Sequence, residues 1–301
     1  MSSHIEIRDL TKTYPGSKTS ALDSLSLQVA PGEVYGFLGA NGAGKSTTIR
    51  LLLNFIQPTS GTATILGQDV VRDSVAVKRH VGYLSGELAL WPKVTGNELF
   101  AYMAKLASKD GRADRAYVNE LVTRFEAQPD KPIGELSKGN KQKIGIITAL
   151  MHRPEVLILD EPTSGLDPLM QEVFYDYVRE VASNGTAVFV SSHNLSEAQR
   201  MCDRIGIIKH GKLIHEQSLK EASDLASTTL RVTFADKKAV SSLRKDKELK
   251  VISTQGASVV LQPAGSIADA LACLGKYDIR ALSTQQLNLE DEFLEYYGDG
   301  A

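Results

Sequence analysis

The chain has 301 residues, of which 42% are hydrophobic, and its 34 basic and 36 acidic side chains give a formal net charge of -2. This length is enough for one large and one small domain, and the balanced charge gives no long-range preference for nucleic acid or an anionic membrane. Cys202 and Cys273 have neither metal-ligand nor redox spacing, which favours a reduced, cytosolic setting. There is no signal-peptide pattern, and no apolar stretch approaches the roughly 18 to 20 residues of a spanning helix. We expect a protein that neither crosses a membrane nor enters a secretion route by itself.

Residues 1 to about 220 alternate short β-branched runs with helical patterns, which predicts an α/β domain. The clearest strands are the apolar runs EVYGFL at Glu33 to Leu38, VLILD at Val156 to Asp160, and TAVFVS at Thr186 to Ser191. A loop and a helix-like segment follow each of them. Because such strands are apolar on both faces, we expect a sheet that is covered on both sides.

After Lys220 the sequence changes character and reads as strand, helix, strand, strand, helix, strand. The segments are TTLRVTF, DKKAVSSLRKD, LKVIST, ASVVLQ, SIADALACLGKY and DIRALST. This order is typical of a ferredoxin-like unit. A final amphipathic stretch, LEDEFLEYYG, predicts a helix that packs back on the protein. The sequence thus divides into a domain over 1–220 and a small α+β domain over 221–301.

The stretch GANGAGKST follows the strand EVYGFL directly and opens a helical pattern. It matches GxxxxGK[ST] in the strand, loop and helix context that a phosphate-binding loop requires. Its glycines let backbone N–H groups converge on phosphate oxygens, and the helix N-terminus adds its positive dipole end. The lysine can reach the outer phosphates of ATP, and the first hydroxyl can ligate Mg²⁺. The predicted nucleotide-binding residues of this loop are Gly39, Ala40, Asn41, Gly42, Ala43, Gly44, Lys45, Ser46 and Thr47.

A second group of candidate residues lies in VLILDEPTSGLD, where an apolar strand delivers two carboxylates to its C-terminal end. Ligands of α/β sheets bind at that end. Asp160 is the candidate carboxylate on the magnesium side, and Glu161 can orient and deprotonate a water that attacks the γ-phosphate. The alternative is a helix-capping or surface acidic pair.

With these motifs the chain resembles the ATP-binding-cassette (ABC) ATPases over essentially all of residues 1–220. The phosphate loop and the LILDE strand are similar to the Walker A and Walker B motifs of that family, and LSKGNKQK resembles its signature motif. The resemblance implies a RecA-like P-loop core with antiparallel β and α-helical subdomains, the helical one at about 87–152. It also implies ATP hydrolysis with Mg²⁺. The signature residues are Ser137, Lys138, Gly139 and Asn140.

Three further positions take roles from the same resemblance. SGLD, which ends at Asp167, is similar to the family's D-loop, and SSH ends at His193, which would touch the γ-phosphate. Tyr14 looks like the aromatic residue on which the family stacks adenine. Each has a plainer alternative from the residues alone: a helix N-cap neighbourhood for His193 and an ordinary strand-end tyrosine for Tyr14.

Two stretches depart from the family pattern. The family usually has a glutamine where VGYLSGELALWP places Gly86, so Glu87 becomes the candidate substitute, as an oxygen ligand or water holder; the alternative is a solvent-facing loop residue. The signature has Lys138 and Asn140 in place of the commoner glycine and glutamine. Ser137 and Gly139, which face phosphate in the family, are retained, and we interpret the motif as competent.

The resemblance implies that the signature of one subunit covers the ATP held by a second subunit, so we expect a head-to-tail dimer, most simply a homodimer. We predict the ATPase subunit of an exporter of the drug- and antibiotic-efflux branch, cytoplasmic and peripheral on the inner face of the membrane through separate transmembrane permease subunits. The region from Glu87 to Trp91 would receive the permease. No nucleic-acid partner is expected, and the alternative is a soluble ABC ATPase acting on ribosomes or nucleic acid. The sequence does not identify the transported compound.

Overall fold

The computed structural model describes residues 3–107, 114–219, 230–235, 243, 249–264 and 266–284, which form two compact units divided between Gln217 and Ser218. The strands of the first unit are β1 (Ile5–Lys12), β2 (Leu22–Val29), β3 (Val34–Leu38), β4 (Ser60–Ile65), β5 (Gln68–Asp69), β6 (Val81–Leu84), β7 (Val156–Asp160), β8 (Ala187–Ser192), β9 (Arg204–Lys209) and β10 (Lys212–Ser218), all but the last residue of which belongs to this unit. The helices are α1 (Lys45–Leu52), α2 (Ser74–Lys78), α3 (Gly96–Ala107), α4 (Arg115–Arg124), α5 (Lys138–Leu150), α6 (Pro168–Ser183) and α7 (Leu195–Met201).

Two sheets build the first unit among its described residues. The larger has the order β10-β9-β3-β8-β7-β6, in which the pairs β9–β3, β3–β8, β8–β7 and β7–β6 are all parallel. The smaller has the order β2-β1-β4-β5 with antiparallel pairing throughout. This arrangement agrees with the predicted P-loop core and its antiparallel β subdomain. Helices α3, α4 and α5 lie within the range expected for the helical subdomain.

Strand β7 shows why the central strands are apolar throughout. Its five residues are all buried, and neighbouring side chains point into different hydrophobic clusters. Leu157 and Leu159 pack among side chains of α4, α5 and α6, whereas Val156 and Ile158 pack with α1 and the antiparallel sheet. A strand between two cores needs apolar side chains on both faces, as the sequence pattern indicated.

The buried ring of Tyr35 links three strands of the parallel sheet. Its hydroxyl donates to Glu216 Oε1 at 2.7 Å, and burial raises the pKa of Tyr35, so the hydroxyl keeps its proton. The Arg204 guanidinium lies over the ring, 4.8 Å from its centroid, and pairs with Glu33 at 2.7 Å and Glu216 at 2.8 Å. Gly206, on the adjacent strand β9, leaves the room that the hydroxyl occupies.

The second unit has a four-stranded antiparallel sheet of β11 (Leu230–Phe234), β12 (Leu249–Gln255), β13 (Ser258–Pro263) and β14 (Ile279–Thr284). The sequence predicted a ferredoxin-like unit from the order of elements along the chain, and the sheet order β12-β13-β11-β14 agrees with such a unit. Helix α8 (Ile267–Leu274) buries Ala270, Cys273 and Leu274 against the sheet. Of the first predicted helix only Leu243 is described, as helical and buried, and the predicted C-terminal helix lies outside the described residues.

Within the described ranges, no helix combines the length and the apolar character that crossing a bilayer requires. Neither Cys202 nor Cys273 forms a disulfide.

Substituting Gly206 by alanine should destabilise the first unit. The new Cβ would overlap the Tyr35 hydroxyl, which cannot move because the ring is buried and bonded. We expect the free energy of unfolding to fall by about 1 to 3 kcal/mol, the usual range for overpacking a core. Chemical denaturation followed by circular dichroism measures this loss.

The control is the same alanine in a Tyr35→Phe background. With the hydroxyl gone, Gly206→Ala should cost less than it does in the parent chain, because the two changes share one contact. If Gly206→Ala lowers the free energy of unfolding equally in both backgrounds, the proposed overlap with the Tyr35 hydroxyl is wrong.

Candidate active site

The candidate site lies at the carboxyl edge of the parallel sheet. The phosphate loop follows β3, Asp160 ends β7 and Glu161 comes directly after it, and His193 follows β8. The strand registers pair Leu38 with Ser192 and Asp160 with Ser191, so the three strand ends are level with one another. This is where ligands bind in open α/β sheets, and it brings together residues that are more than a hundred positions apart in the sequence.

Two glycines of the phosphate loop are required by its backbone path. Gly44, directly before α1, has a φ of +121°, a conformation that other residues rarely adopt, and a Cβ there would lie 2.9 Å from the Ala21 carbonyl oxygen. At Gly39 a Cβ would lie 2.7 Å from a methyl carbon of Ile208. The loop therefore passes close to β9 and to the segment before β2.

Lys45 begins α1, and its side chain folds back across the loop. The residue is 6% exposed, and its ammonium donates to the carbonyl oxygens of Gly39 at 2.5 Å and Ala40 at 3.4 Å. Such contacts hold a lysine in one orientation at the centre of the loop. The next residue, Ser46, is exposed in the first turn of α1. The remaining loop positions are exposed at Asn41 and Gly42, buried at Ala43 and partly buried at Thr47.

Glu161 connects the phosphate loop with the end of β8. Its Oε1 lies 3.5 Å from Lys45 Nζ, and its Oε2 lies 2.7 Å from His193 Nδ1. The Glu161 backbone has a φ of +49°, a strained conformation for a residue other than glycine. Its amide donates to the Ser191 carbonyl oxygen at 3.1 Å. The carboxylate is thus contacted at both of its oxygens, and the backbone that carries it turns sharply after the strand.

Asp160 is 9% exposed and accepts a hydrogen bond from the Ser191 hydroxyl. Ser191 is fully buried and also lies 3.3 Å from the Glu161 amide. Sequence reasoning did not single out Ser191. The available signal was its position at the end of the strand next to β7, but only the register shows that it lies beside Asp160.

The position of the missing family glutamine is occupied by Gly86, which lies against Asp160. A Cβ at Gly86 would lie 3.2 Å from the Asp160 carbonyl oxygen and 3.6 Å from its Oδ2. Glu87, the predicted substitute, is exposed. That exposure agrees with both alternatives, a water-holding carboxylate and a solvent-facing loop residue.

Tyr14 lines a cavity of about 550 Å³ that also includes Gly42 of the phosphate loop. The ring is 37% exposed, and the Lys12 ammonium lies 5.4 Å from its centroid. His210, which follows β9 and has a φ of +49°, lines the same cavity and was missed in the sequence. The aromatic residue and the phosphate loop therefore share one cavity, as a base and its phosphates would require.

The signature residues contact a different part of the chain. Ser137 is the N-cap of α5 and accepts from the Asn140 amide at 3.3 Å. Lys138 Nζ donates to Ser164 Oγ at 3.1 Å, and Gln142, which sequence reasoning missed, donates to the Pro162 carbonyl oxygen at 2.6 Å. The first turns of α5 thus pack on the loop that follows Glu161.

Asp167 ends the SGLD loop. It is the N-cap of α6, where its carboxylate accepts from the Met170 amide at 3.0 Å.

Comparison with known proteins agrees with this geometry. Residues 22–164 match the family model described as ABC transporter. The chain is 39% identical over 220 residues to the bacitracin transport ATP-binding protein BcrA of Bacillus licheniformis, covering 72% of this chain and 70% of BcrA. This chain belongs to the ABC transporter family. It is an ATP-binding and ATP-hydrolysing subunit, as the sequence predicted.

Other ABC relatives extend the similarity. The daunorubicin/doxorubicin resistance ATP-binding protein DrrA of Streptomyces peucetius is 37% identical over 236 residues, covering 77% of this chain and 71% of DrrA. The uncharacterized ABC transporter ATP-binding protein YhaQ of Bacillus subtilis (strain 168) is 32% identical over 311 residues, with 98% of each chain covered. The predicted membership of the ABC family is confirmed, and the alternative of a ribosomal or nucleic-acid ATPase is not favoured.

Solved ABC proteins share the fold of the cassette. A solved ATP-binding subunit of an ABC transporter has a TM-score of 0.67 and 27% identity, covering 74% of this chain and 92% of that chain. A bacterial ABC transporter cassette solved as a dimer has a TM-score of 0.66 at 24% identity, covering 71% of this chain and 98% of that chain. The predicted cassette fold is confirmed.

Replacing Lys45 by alanine should weaken ATP binding by at least about tenfold, because a buried, oriented ammonium makes charge-assisted bonds to phosphate. Lys93→Ala removes the same charge from an exposed loop position and should leave the affinity unchanged. Titration with a fluorescent ATP analogue measures both. Equal affinities for the two variants would contradict the placement of phosphate beside Lys45.

Proposed function

We propose that this chain is the ATPase subunit of an exporter and that it drives efflux of a drug, an antibiotic or a lipid-like compound through separate membrane permease subunits. The observation that carries the catalytic part is the set of contacts from Lys45 to Glu161 to His193 at the carboxyl edge of the sheet. The transport class is supported by relatives whose names refer to bacitracin transport and to daunorubicin/doxorubicin resistance. The efflux role rests on that similarity.

In the proposed reaction, Glu161 is the general base that orients a water in line with the γ-phosphate and takes its proton. His193 lies 2.7 Å from Glu161 Oε2, where it can hold the carboxylate in position and contact the γ-phosphate oxygens. Lys45 meets the outer phosphates from the other side of the same carboxylate. Tyr14 stacks on adenine in the cavity that it shares with the phosphate loop.

The residues present fit a magnesium ion held mostly by ATP. Ser46 offers an exposed hydroxyl, and Asp160 has one oxygen bonded to Ser191 and a second that faces Gly86. A hydroxyl, a carboxylate and phosphate oxygens suit a small, hard cation that keeps some of its waters. Among the described residues no group of three or more His, Cys, Asp or Glu side chains could hold a metal by itself. Bound Mg²⁺ would neutralise phosphate charge.

The proposed working unit is a head-to-tail dimer, most simply of two identical chains. Ser137 and Gly139 would cover the γ-phosphate of the ATP that the second copy holds, and Asp167 lies in the loop that would meet the partner. Loss of the γ-phosphate charge would then open the dimer. The solved dimeric cassette has the same fold, which supports such a pairing.

The permease is proposed to dock around Glu87 to Trp91. Trp91 is 51% exposed and packs edge-on against Tyr102, with ring centroids 5.1 Å apart, so an aromatic surface is available there. Through this contact the chain would sit at the cytoplasmic face of the membrane. The unit after residue 220 is proposed as an accessory or regulatory domain, because it has its own hydrophobic core.

Replacing Glu161 by glutamine should abolish turnover but keep ATP binding. We expect the hydrolysis rate to fall by about 100-fold or more, because the base is lost while the phosphate contacts remain. ATP should then trap the dimer, which size-exclusion chromatography with light scattering detects. Hydrolysis by Glu161→Gln at the parent rate would show that another group acts as the base.

The efflux role is tested with the chain and its permease together. The chain is co-purified with a membrane protein of about six spanning helices that is encoded beside it, and ATP hydrolysis is measured with peptide antibiotics, anthracyclines and lipids. We expect one of these classes to stimulate hydrolysis and the Glu161→Gln pair to show none. If no such protein binds the chain, or if none of the classes changes the rate, the exporter assignment is wrong.

A further inference from the structure

Lys138 carries a positive charge at an unfavourable place in the chain. It is the first residue of α5, where the helix dipole disfavours cations, and the first turn of that helix contains no acidic residue. The side chain is exposed, and its ammonium donates to Ser164 Oγ at 3.1 Å. Within the part of the chain that the structure describes, no ion pair involves Lys138. The charge is thus bonded to a neutral acceptor.

The Lys138 side chain lies along the SGLD loop. A Cβ at Gly165 would lie 3.1 to 3.2 Å from the Lys138 methylene carbons, and a Cβ at Gly139 would lie 2.8 Å from the Gly165 carbonyl oxygen. Lys138 stands between Ser137 and Gly139 in the sequence, the two residues that the proposed dimer would place on the ATP of the second copy. A hydroxyl is a weaker acceptor for an ammonium than a phosphate oxygen, because a bond between two charged groups is stronger.

We propose that Lys138 is a phosphate-contacting residue that acts across the dimer. When the dimer closes, its ammonium leaves Ser164 Oγ and binds a γ-phosphate oxygen of the ATP held by the second copy. This inference rests on the proposed function, since it needs the signature turn of one copy to cover the nucleotide of the other. Ser164 is then the acceptor that holds the ammonium in the open state.

Two variants should have opposite effects. Lys138→Met keeps the length of the side chain and removes its charge, so the dimer should need a higher ATP concentration to form. Ser164→Ala removes the acceptor that competes with phosphate. The dimer should therefore form at the parent's ATP concentration or at a lower one. A purely structural link between α5 and the loop would instead make both variants weaken closure, because each breaks the same bond.

The experiment uses the full chain with Glu161→Gln, so that hydrolysis does not reopen the dimer. Light scattering gives the ATP concentration at half-maximal dimer formation. We expect Lys138→Met to raise it about five- to tenfold and Lys138→Arg to change it by less than about twofold, since arginine keeps the charge. Lys141→Met, one turn further along α5, is the matched control and should also stay within about twofold.

Salt gives a second measure of the same contact. Raising sodium chloride from about 50 mM to about 300 mM should weaken closure of the parent more than closure of Lys138→Met, because screening acts on the contact that the variant lacks. Equal salt dependence of parent and variant would contradict a charge contact with phosphate.

The outcomes distinguish a failure of the Lys138 assignment from a failure of the proposed ATP-driven dimer. If Lys138→Met closes at the parent's ATP concentration, or if Ser164→Ala is impaired like Lys138→Met, the assignment of Lys138 is overturned while the ATP-driven dimer stands. If the Glu161→Gln chain stays monomeric at every ATP concentration, the dimer of the proposed function is itself wrong, and the assignment of Lys138 fails with it.

Discussion

The site depends on one carboxylate that the Lys45 ammonium and the His193 imidazole each contact, one at each oxygen. Glu161 directly follows β7, which does not neighbour β3, the strand that leads to Lys45. Strand β8 lies between them, and His193 directly follows it. The contacts form only because the parallel registers bring the three strand ends level. Sheet order is therefore as much a part of the chemistry as the identity of the side chains.

A second set of contacts joins the loop after Glu161 to the helical part of the cassette. The loop after Glu161 accepts a hydrogen bond from Gln142 and another from Lys138, both on α5. The helix that presents the signature turn is thus bonded to the segment that carries the base. A displacement of α5 on contact with a second copy would reach the loop after Glu161 through the hydrogen bond from Gln142, which does not involve Lys138.

The sequence predicted the parts of the site that depend on local order. The phosphate loop and the paired carboxylates could be read from a strand, a loop and a helix that follow one another. The roles of Ser191 and Gln142 could not be read in this way. The partner of Ser191 lies 31 residues away and is brought close by the strand register, and the partner of Gln142 lies 20 residues away and is brought close by the packing of α5. The position of Gly86 was predicted, but its approach to Asp160 is a property of the fold.

In the fold, too, the features set by local sequence order were predictable and those set by tertiary packing were not. The ferredoxin-like order of the second unit followed from alternating segments, since each short strand carried its own pattern. The antiparallel sheet of the first unit was expected only from the family resemblance. Its strand β1 pairs with β2 and β4 through irregular registers, which a period of two does not reveal.

Strand β7 has a consequence for unfolding. Because neighbouring side chains of β7 belong to different hydrophobic clusters, neither cluster can loosen without exposing one face of that strand. We therefore expect the two clusters to unfold together, in a single cooperative transition of the first unit.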